Sequence, residues 1–208
     1  MIRVRLTYKK EASLKYTGHL DLHKVWERTF RRAQLPLAYS QGFHPQPRIQ
    51  QACPLPLGFI SQCEVIDFWL KEDLLIDEVR AALIPALQPG IEVSKAEIIP
   101  LSDPALQTAV IASDYLAQFN SEVNEQMVSN KIDDLLAESS ILRERRGKSY
   151  DLRQLIQQCH LSKGPHTGVV MRLTTLPGAT GRPEEVLDAL GIDLYSVQVI
   201  RTALMFSA

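Results

Sequence analysis

His19 and His23 stand four residues apart with Asp21 between them, so on a helix both imidazoles share one face. That spacing can hold zinc, as in the H-E-x-x-H arrangement. The intervening acid is out of pattern, however, and no third ligand is evident, so neither a metal nor a cofactor is expected. A single histidine titrating near neutrality can act on RNA as a general acid or base, which nominates His19, His23 and His44 if the chain cleaves RNA. Packing or capping at a helix start explains the His19/His23 pair equally well. The chain has no P-loop, dinucleotide fingerprint or nucleophile elbow, and no three-cysteine cluster for an iron–sulfur centre.

Positive charge is the stronger signal. Lys24, Arg28, Arg31 and Arg32 recur at spacings that form one stripe of a helix, suited to following a phosphate backbone and interrupted by Glu27. The stretch Tyr39-Ser40-Gln41-Gly42-Phe43-His44-Pro45-Gln46-Pro47-Arg48 follows. Gly42 permits close backbone approach and two prolines fix the path. Tyr39, Phe43, His44 and Arg48 supply the mixture of rings and cations that holds unpaired bases. Further on, Arg143, Arg145, Arg146, Lys148 and Arg153 surround a hairpin signal, with Arg143 and Arg145 on one strand face. Arg182 and Arg201 are candidates for an anion site beside a helix start at Pro183. Each has a bland counterpart: a solvated helix face, aromatics packed under the fold, charges that protect a strand edge, or simple helix initiation.

The elements that must position these residues read in a regular order. Alternation of Ile2, Val4, Leu6 and Tyr8 predicts a strand over 2–9. A helix over 19–34 would bury Leu22, Val25, Trp26 and Ala33 and end at Pro36. Extended segments follow at 37–40, 48–57 and 62–70, then a helix over 76–87 and a strand over 91–99. The second half gives a strand over 109–119, a helix over 122–138 burying Val123, Met127 and Leu135, and a hairpin over 141–146 and 149–152. An ambiguous stretch covers 153–160. A strand over 168–175, a helix opened by Pro183 and closed by Gly191, and a strand over 194–206 complete it. Strand-helix-strand-strand-helix-strand, twice, predicts an α+β chain of two tandem ferredoxin-like (βαββαβ) domains, 1–103 and 104–208.

Net charge is −1 but unevenly spread: residues 1–60 carry 10 Lys or Arg against 3 Asp or Glu, residues 61–139 carry 4 against 15, and residues 140–208 carry 9 against 6. A basic end on a nearly neutral chain points to an anionic partner, although the acidic middle can also pair with it internally. No stretch approaches the roughly 20 apolar residues of a membrane span, and Met1-Ile2-Arg3-Val4-Arg5 reads as a strand rather than a secretory signal. Cys53, Cys63 and Cys159 form no disulfide framework, so a reduced, cytoplasmic setting is expected.

Several blocks together resemble the radical SAM-linked protein family: Gly18-His19-Leu20-Asp21-Leu22, Phe30-Arg31-Arg32-Ala33, Leu35-Pro36-Leu37-Ala38-Tyr39-Ser40-Gln41-Gly42-Phe43 and Pro54-Leu55-Pro56-Leu57-Gly58. Gly147-Lys148, Asp151-Leu152-Arg153, Arg182-Pro183-Glu184-Glu185-Val186-Leu187 and Ile200-Arg201-Thr202 extend the match along the chain. Gly18, His44 and Gln46 stand where that family more often has Ser, Asn and His. The resemblance implies a partner, a cobalamin-binding radical SAM protein. The chain lacks the cysteine motif of such enzymes, so it implies the accessory role. The tandem arrangement also looks like the RNA-processing proteins of CRISPR systems, at the level of fold only. The leading reading is thus a non-catalytic RNA-binding or adaptor protein that acts with a radical SAM enzyme, with tRNA or rRNA modification as its expected setting. A metal-independent endoribonuclease and a purely structural adaptor are its rivals.

Overall fold

The structure is a computed structural model that describes residues 1–164 and 166–207. The fold is mixed α+β, and the chain divides into two compact units, Met1–Ala109 and Val110–Ala208. Unit 1 runs β1 (Ile2–Lys10), α1 (His19–Arg32), β2 (Ile49–Gln51), β3 (Ile60–Leu70), α2 (Ile76–Leu83), β4 (Ile91–Ile99) and the single turn α3 (Leu106–Ala109). Its strands lie antiparallel in the order β2-β3-β1-β4. Unit 2 runs β5 (Val110–Phe119), α4 (Glu125–Ala137), β6 (Leu142–Arg145), β7 (Lys148–Asp151), β8 (Ile156–Ser162), β9 (Gly168–Leu176), β10 (Ala179–Thr180), α5 (Pro183–Ala189) and β11 (Val197–Phe206). Here β11, β5, β9 and β8 follow one another in antiparallel pairs, β10 adds to the end of β9, and β6-β7 form a hairpin of their own.

Alternation along β1 puts Val4, Leu6 and Tyr8 on the face covered by the helices, all fully buried. From α1 come Leu22, Trp26 and Phe30, at the spacing that lines one helix face. An aromatic chain joins the layers: Tyr8 meets Trp26 edge-on at 4.8 Å, Trp26 stacks on Phe30 at 5.3 Å, and Phe30 on Phe68 at 4.2 Å. These contacts also set the direction of α1. Phe30 lies over the end of the sheet where β3 finishes, and Trp26 lies nearer the other end.

The opposite face of β1 departs from simple alternation. Arg3 is 2 % exposed and Asp67 completely enclosed. The Asp67 carboxylate accepts from Arg3 Nε and Nη2 at 2.9 and 2.6 Å, and from Arg5 Nε and Nη2 at 2.8 and 2.9 Å. The remaining donors of Arg3 reach the carbonyls of Asp103 and Pro104 at 2.8 and 2.9 Å. The segment after β4 is thereby fastened across this face. Hydrogen bonding to Asp67 raises the Arg5 pKa further above its already high ordinary value.

The element boundaries shift for local reasons. Residues 37–40 make only isolated bridges, Leu37 to Leu70 and Tyr39 to Pro47, and the extended stretch at 48–57 condenses to the three residues of β2. Gln34, at φ 55°, ends α1 in the left-handed conformation. Pro85 turns the last part of the second helix into a 3₁₀ turn, Ile84–Ala86. Helix α4 starts at its Asn124 cap and buries Val128, Ile132 and Leu135, leaving Met127 half exposed instead of inside. The ambiguous stretch becomes a 3₁₀ turn, Arg153–Leu155, followed by β8.

Two outcomes follow. Asp67→Asn leaves Arg3 buried without its counter-charge and should lower unfolding stability by about 3–5 kcal/mol in urea titration. Glu92→Gln, which removes only the exposed Lys9–Glu92 contact, should leave the midpoint in place. In unit 2, burial pushes the Cys159 thiol up to about 12. Alkylation at mildly alkaline pH should therefore spare Cys159 in the native protein and modify it once urea unfolds β8.

Candidate nucleic-acid interface

Where α1 ends, the chain crosses to the end of β3 through Leu37, which bridges Leu70, and the N–H of Lys71 bonds the carbonyl of Pro36 at 2.8 Å. Residues 40–46 then leave the surface as a closed loop. Ser40 N–H bonds Gln46 O at 2.8 Å, Gln46 N–H returns to Ser40 Oγ at 3.0 Å, and Arg48 N–H to Ala38 O at 2.8 Å ties the base. With its neck fixed this way, the loop presents Phe43 at 102 % exposure, with His44 exposed beside it. Such exposure is unusual for a ring that has a core within reach of its own chain.

The cations gather at the same end. Arg28 and Arg32 are exposed and form no ion pair among the described residues. Arg31 is engaged by Glu27 at 2.6 Å, and Lys24, a turn or more earlier, lies 3.9 Å from Asp21. Arg48 spreads its guanidinium over the Trp69 ring at 4.7 Å while Arg3 lies 5.1 Å from the same ring. Tyr39 is half-buried against the core, with Lys71 Nζ 5.6 Å from its ring, so it supports the loop and offers little stacking surface. Lys71 joins this group through a tertiary contact, which no spacing rule reveals. The neighbouring acids are Glu72 and Asp73, the latter holding the Met1 amine at 2.9 Å.

The three candidate histidines do not form one set. His19 and His23 occupy the first two turns of α1 and His44 the loop beyond its last, with about 20 Å of helix between His19 and that end and about 14 Å between His23 and it. Around the first turn, Gly58 N–H bonds Lys15 O at 3.0 Å, bringing the Pro54–Gly58 block beside Gly18. Among the described residues, no group of three or more His, Cys, Asp or Glu is placed to hold a metal ion, and no helix is long and apolar enough to cross a membrane.

In unit 2 Arg143, Arg145 and Arg201 are occupied. Arg145 grips Glu185 through Nε at 3.2 Å and Nη2 at 2.7 Å, and bonds Thr180 O and the Tyr150 hydroxyl, both at 3.1 Å. Arg143 reaches Asp188 at 2.9 Å. Both therefore anchor the β6-β7 hairpin to α5. Burial, then hydrogen bonding to Glu185, raises the Tyr150 phenol. At the hairpin base, Asp151 accepts from the N–H groups of Ile141 and Arg153 at 2.8 and 2.9 Å, and the first of these bonds chiefly lowers its pKa. Arg201, 1 % exposed, bonds the Tyr115 hydroxyl at 3.1 Å, so its guanidinium is closed to an external anion. Arg182 caps α5 3.8 Å from Glu184, whose carboxyl is raised above its ordinary value by burial.

Among solved structures, the chain is similar to one in "Crystal Structure of a Cbf5-Nop10-Gar1 Complex", at 10% identity and a TM-score of 0.49 over 98% of this chain and 49% of that one. It is also similar to one in "Structure of H/ACA RNP bound to a substrate RNA containing 2'-deoxyuridine", at 9% identity and a TM-score of 0.48 over 97% and 47%. It thus spans about half the length of those chains. No curated protein matches its sequence. Residues 3–183, most of the chain, match a family model, and the protein belongs to that bacterial family, described as "Uncharacterized protein conserved in bacteria (DUF2344)".

Proposed function

We propose that this chain is an RNA-binding adaptor without a catalytic centre of its own, and that it holds single-stranded RNA at the end of unit 1 where α1 and β3 finish. The observation that carries this reading is Phe43, fully exposed on a loop with a hydrogen-bonded neck at the end of α1, where Arg28 and Arg32 are exposed and form no ion pair among the described residues. A base stacks on the Phe43 ring, while Arg28, Arg32 and the outward edge of Arg48 meet phosphates on either side. The cation stripe alone would serve any polyanion. The exposed ring beside it favours unstacked bases. The placement of His19 and His23 in the first turns of α1 and of His44 in the loop after its last supports the non-catalytic reading over a ribonuclease that uses them jointly.

The finer parts of the reading rest on sequence pattern and strand order. Each unit is read as a ferredoxin-like domain, since the orders β2-β3-β1-β4 and β8-β9-β5-β11 both put the first and third strands in the middle once the β6-β7 hairpin and the short β10 are set aside as additions. The partner is a cobalamin-binding radical SAM protein in the cytoplasm and the RNA a tRNA or rRNA. The sequence blocks around Gly18–Leu22 and Pro54–Gly58, which the fold brings side by side, support that association.

Three phosphate contacts in unit 1 contribute a slope of about −2 to log affinity against log salt for a single strand. Arg28→Gln/Arg32→Gln should remove about 1.4 of that slope and weaken binding to all sequences alike, as read by fluorescence anisotropy. Phe43→Ala should weaken binding with the slope unchanged, because stacking releases no counterions. An intact slope in the arginine variant would remove α1 from the interface.

RNA incubated with the protein should stay full length on a denaturing gel. Cleavage that His44→Ala or His19→Ala abolishes, with binding retained, would replace the adaptor by the ribonuclease.

A further inference from the structure

We infer that the β6-β7 hairpin of unit 2 is a second RNA contact, whose tip residues Arg146 and Lys148 bind backbone phosphates. The inference deepens the RNA-binding reading and rests on it. The hairpin closes through a two-residue turn, Arg145 pairing with Lys148, and both central residues have positive φ, 53° at Arg146 and 73° at Gly147. That is the requirement of a type I′ turn, which is met best by Asn followed by Gly. A long side chain at the first position is uncommon and does nothing for the turn itself. Arg146 is exposed, as is Lys148 on the far side of the glycine, and neither forms an ion pair among the described residues. The one acid on the arms near the tip is Glu144, also exposed.

The arms are held firmly while the tip is left bare. Arg145 on Glu185 and Arg143 on Asp188 bind one face of β6 to α5, and Asp151 clamps the base through two backbone N–H groups. Tyr150 lies under the Arg145 guanidinium at 4.8 Å. The tip cations are thus presented on a braced support, so less freedom is lost when they meet a phosphate.

Topology gives an independent reason. The hairpin lies in the connection from α4 to β8, the first helix of unit 2 to the strand that pairs with β9. In unit 1 the corresponding connection, from α1 to β2, carries the Phe43 loop. Both units place an exposed projection in the same slot, the Phe43 loop in one and the tip with Arg146 and Lys148 in the other. The two elements divide the work: a ring at the cationic end of unit 1, and cations alone in unit 2.

The test measures polyuridine binding by anisotropy over a salt series for the whole chain. Arg146→Asn/Lys148→Gln keeps a residue that favours the turn and should reduce the slope by about 1.4, independently of Arg28→Gln/Arg32→Gln, so that the four-fold variant loses both increments. Circular dichroism and the unfolding midpoint should match the wild type. If the wild type and the α1 variant behave as expected while the tip variant binds with unchanged slope, the hairpin is not a contact and the unit 1 interface stands. If the tip variant loses slope and the α1 variant does not, the hairpin stands and the unit 1 interface falls. If the wild type binds no polyuridine, both fall. Arg145→Gln, which frees the arms from α5, should weaken binding with a smaller change of slope, because the tip charges persist on a looser support.

Discussion

Asp67 is a carboxylate with no access to water, and unit 1 is arranged around satisfying it. Enclosing such a group costs several kcal/mol unless charge and hydrogen bonds replace its hydration. Arg3 and Arg5 do both, with four N–H donors shared between its two oxygens. Because Arg5 lies directly opposite Asp67 in the β1–β3 ladder and Arg3 one pleat away, the arrangement exists in only one register. A slip of one residue would send the arginines to the apolar face and Val4 and Leu6 out of it. The carbonyls of Asp103 and Pro104 complete the hydrogen bonding of Arg3, so the segment after β4 is folded back by the same charge.

This constraint changes what the basic N-terminal region means. Part of its positive charge is internal: Arg3 and Arg5 answer Asp67, and Lys10 is buried with its ammonium 3.4 Å from the carbonyls of Lys15 and Phe59. What remains for a partner is smaller and more localised, chiefly Arg28, Arg32 and Arg48 at one end of the sheet. Localisation raises the specificity of the surface more than a diffuse excess of charge would. In the proposed role, exposed cations at the end of the unit that also carries the exposed Phe43 ring would favour a ligand with both phosphates and unstacked bases.

Much of the fold is legible in the sequence because the buried face of each element is apolar at the period of that element. Ile2 through Tyr8 shows the alternation of a strand, and Leu22, Trp26 and Phe30 show the spacing of a helix. The misreadings have particular causes. Arg3 is assigned to solvent by alternation, since nothing local reveals that residues 103–104 cover the second face. Val123 and Met127 look like the inner face of α4, but the Asn124 cap starts the helix later and turns Val128, Ile132 and Leu135 inward. For the candidate site, the stripe on α1 and the i,i+4 neutralisation of Arg31 by Glu27 follow from helical geometry. The roles of Tyr39, Arg143 and Arg145 do not. Alternation correctly places Arg143 and Arg145 on one face of a strand, but only the tertiary fold shows that this face meets the acids of α5.

The two units solve the same problem with opposite polarity. In unit 1 the first strand carries arginine and the third carries aspartate. In unit 2 Asp114 stands on β5 and Arg172 directly opposite it on β9, joined at 2.7 and 2.8 Å. In each case a cross-strand ion pair at the middle of the sheet marks the register that apolar alternation alone specifies only to within two residues. The pair in unit 1 is enclosed and the one in unit 2 partly open, so register is held more strictly in the first. With the central strands fixed, the connection from first helix to outer strand is where each unit projects exposed residues, Phe43 in one and Arg146 and Lys148 in the other. It runs past the sheet edge, where backbone groups can be satisfied by water and by their own turns. Insertions there leave the central ladder intact, which is why a ring-bearing loop in one unit and a braced hairpin in the other can project from frameworks of the same strand order.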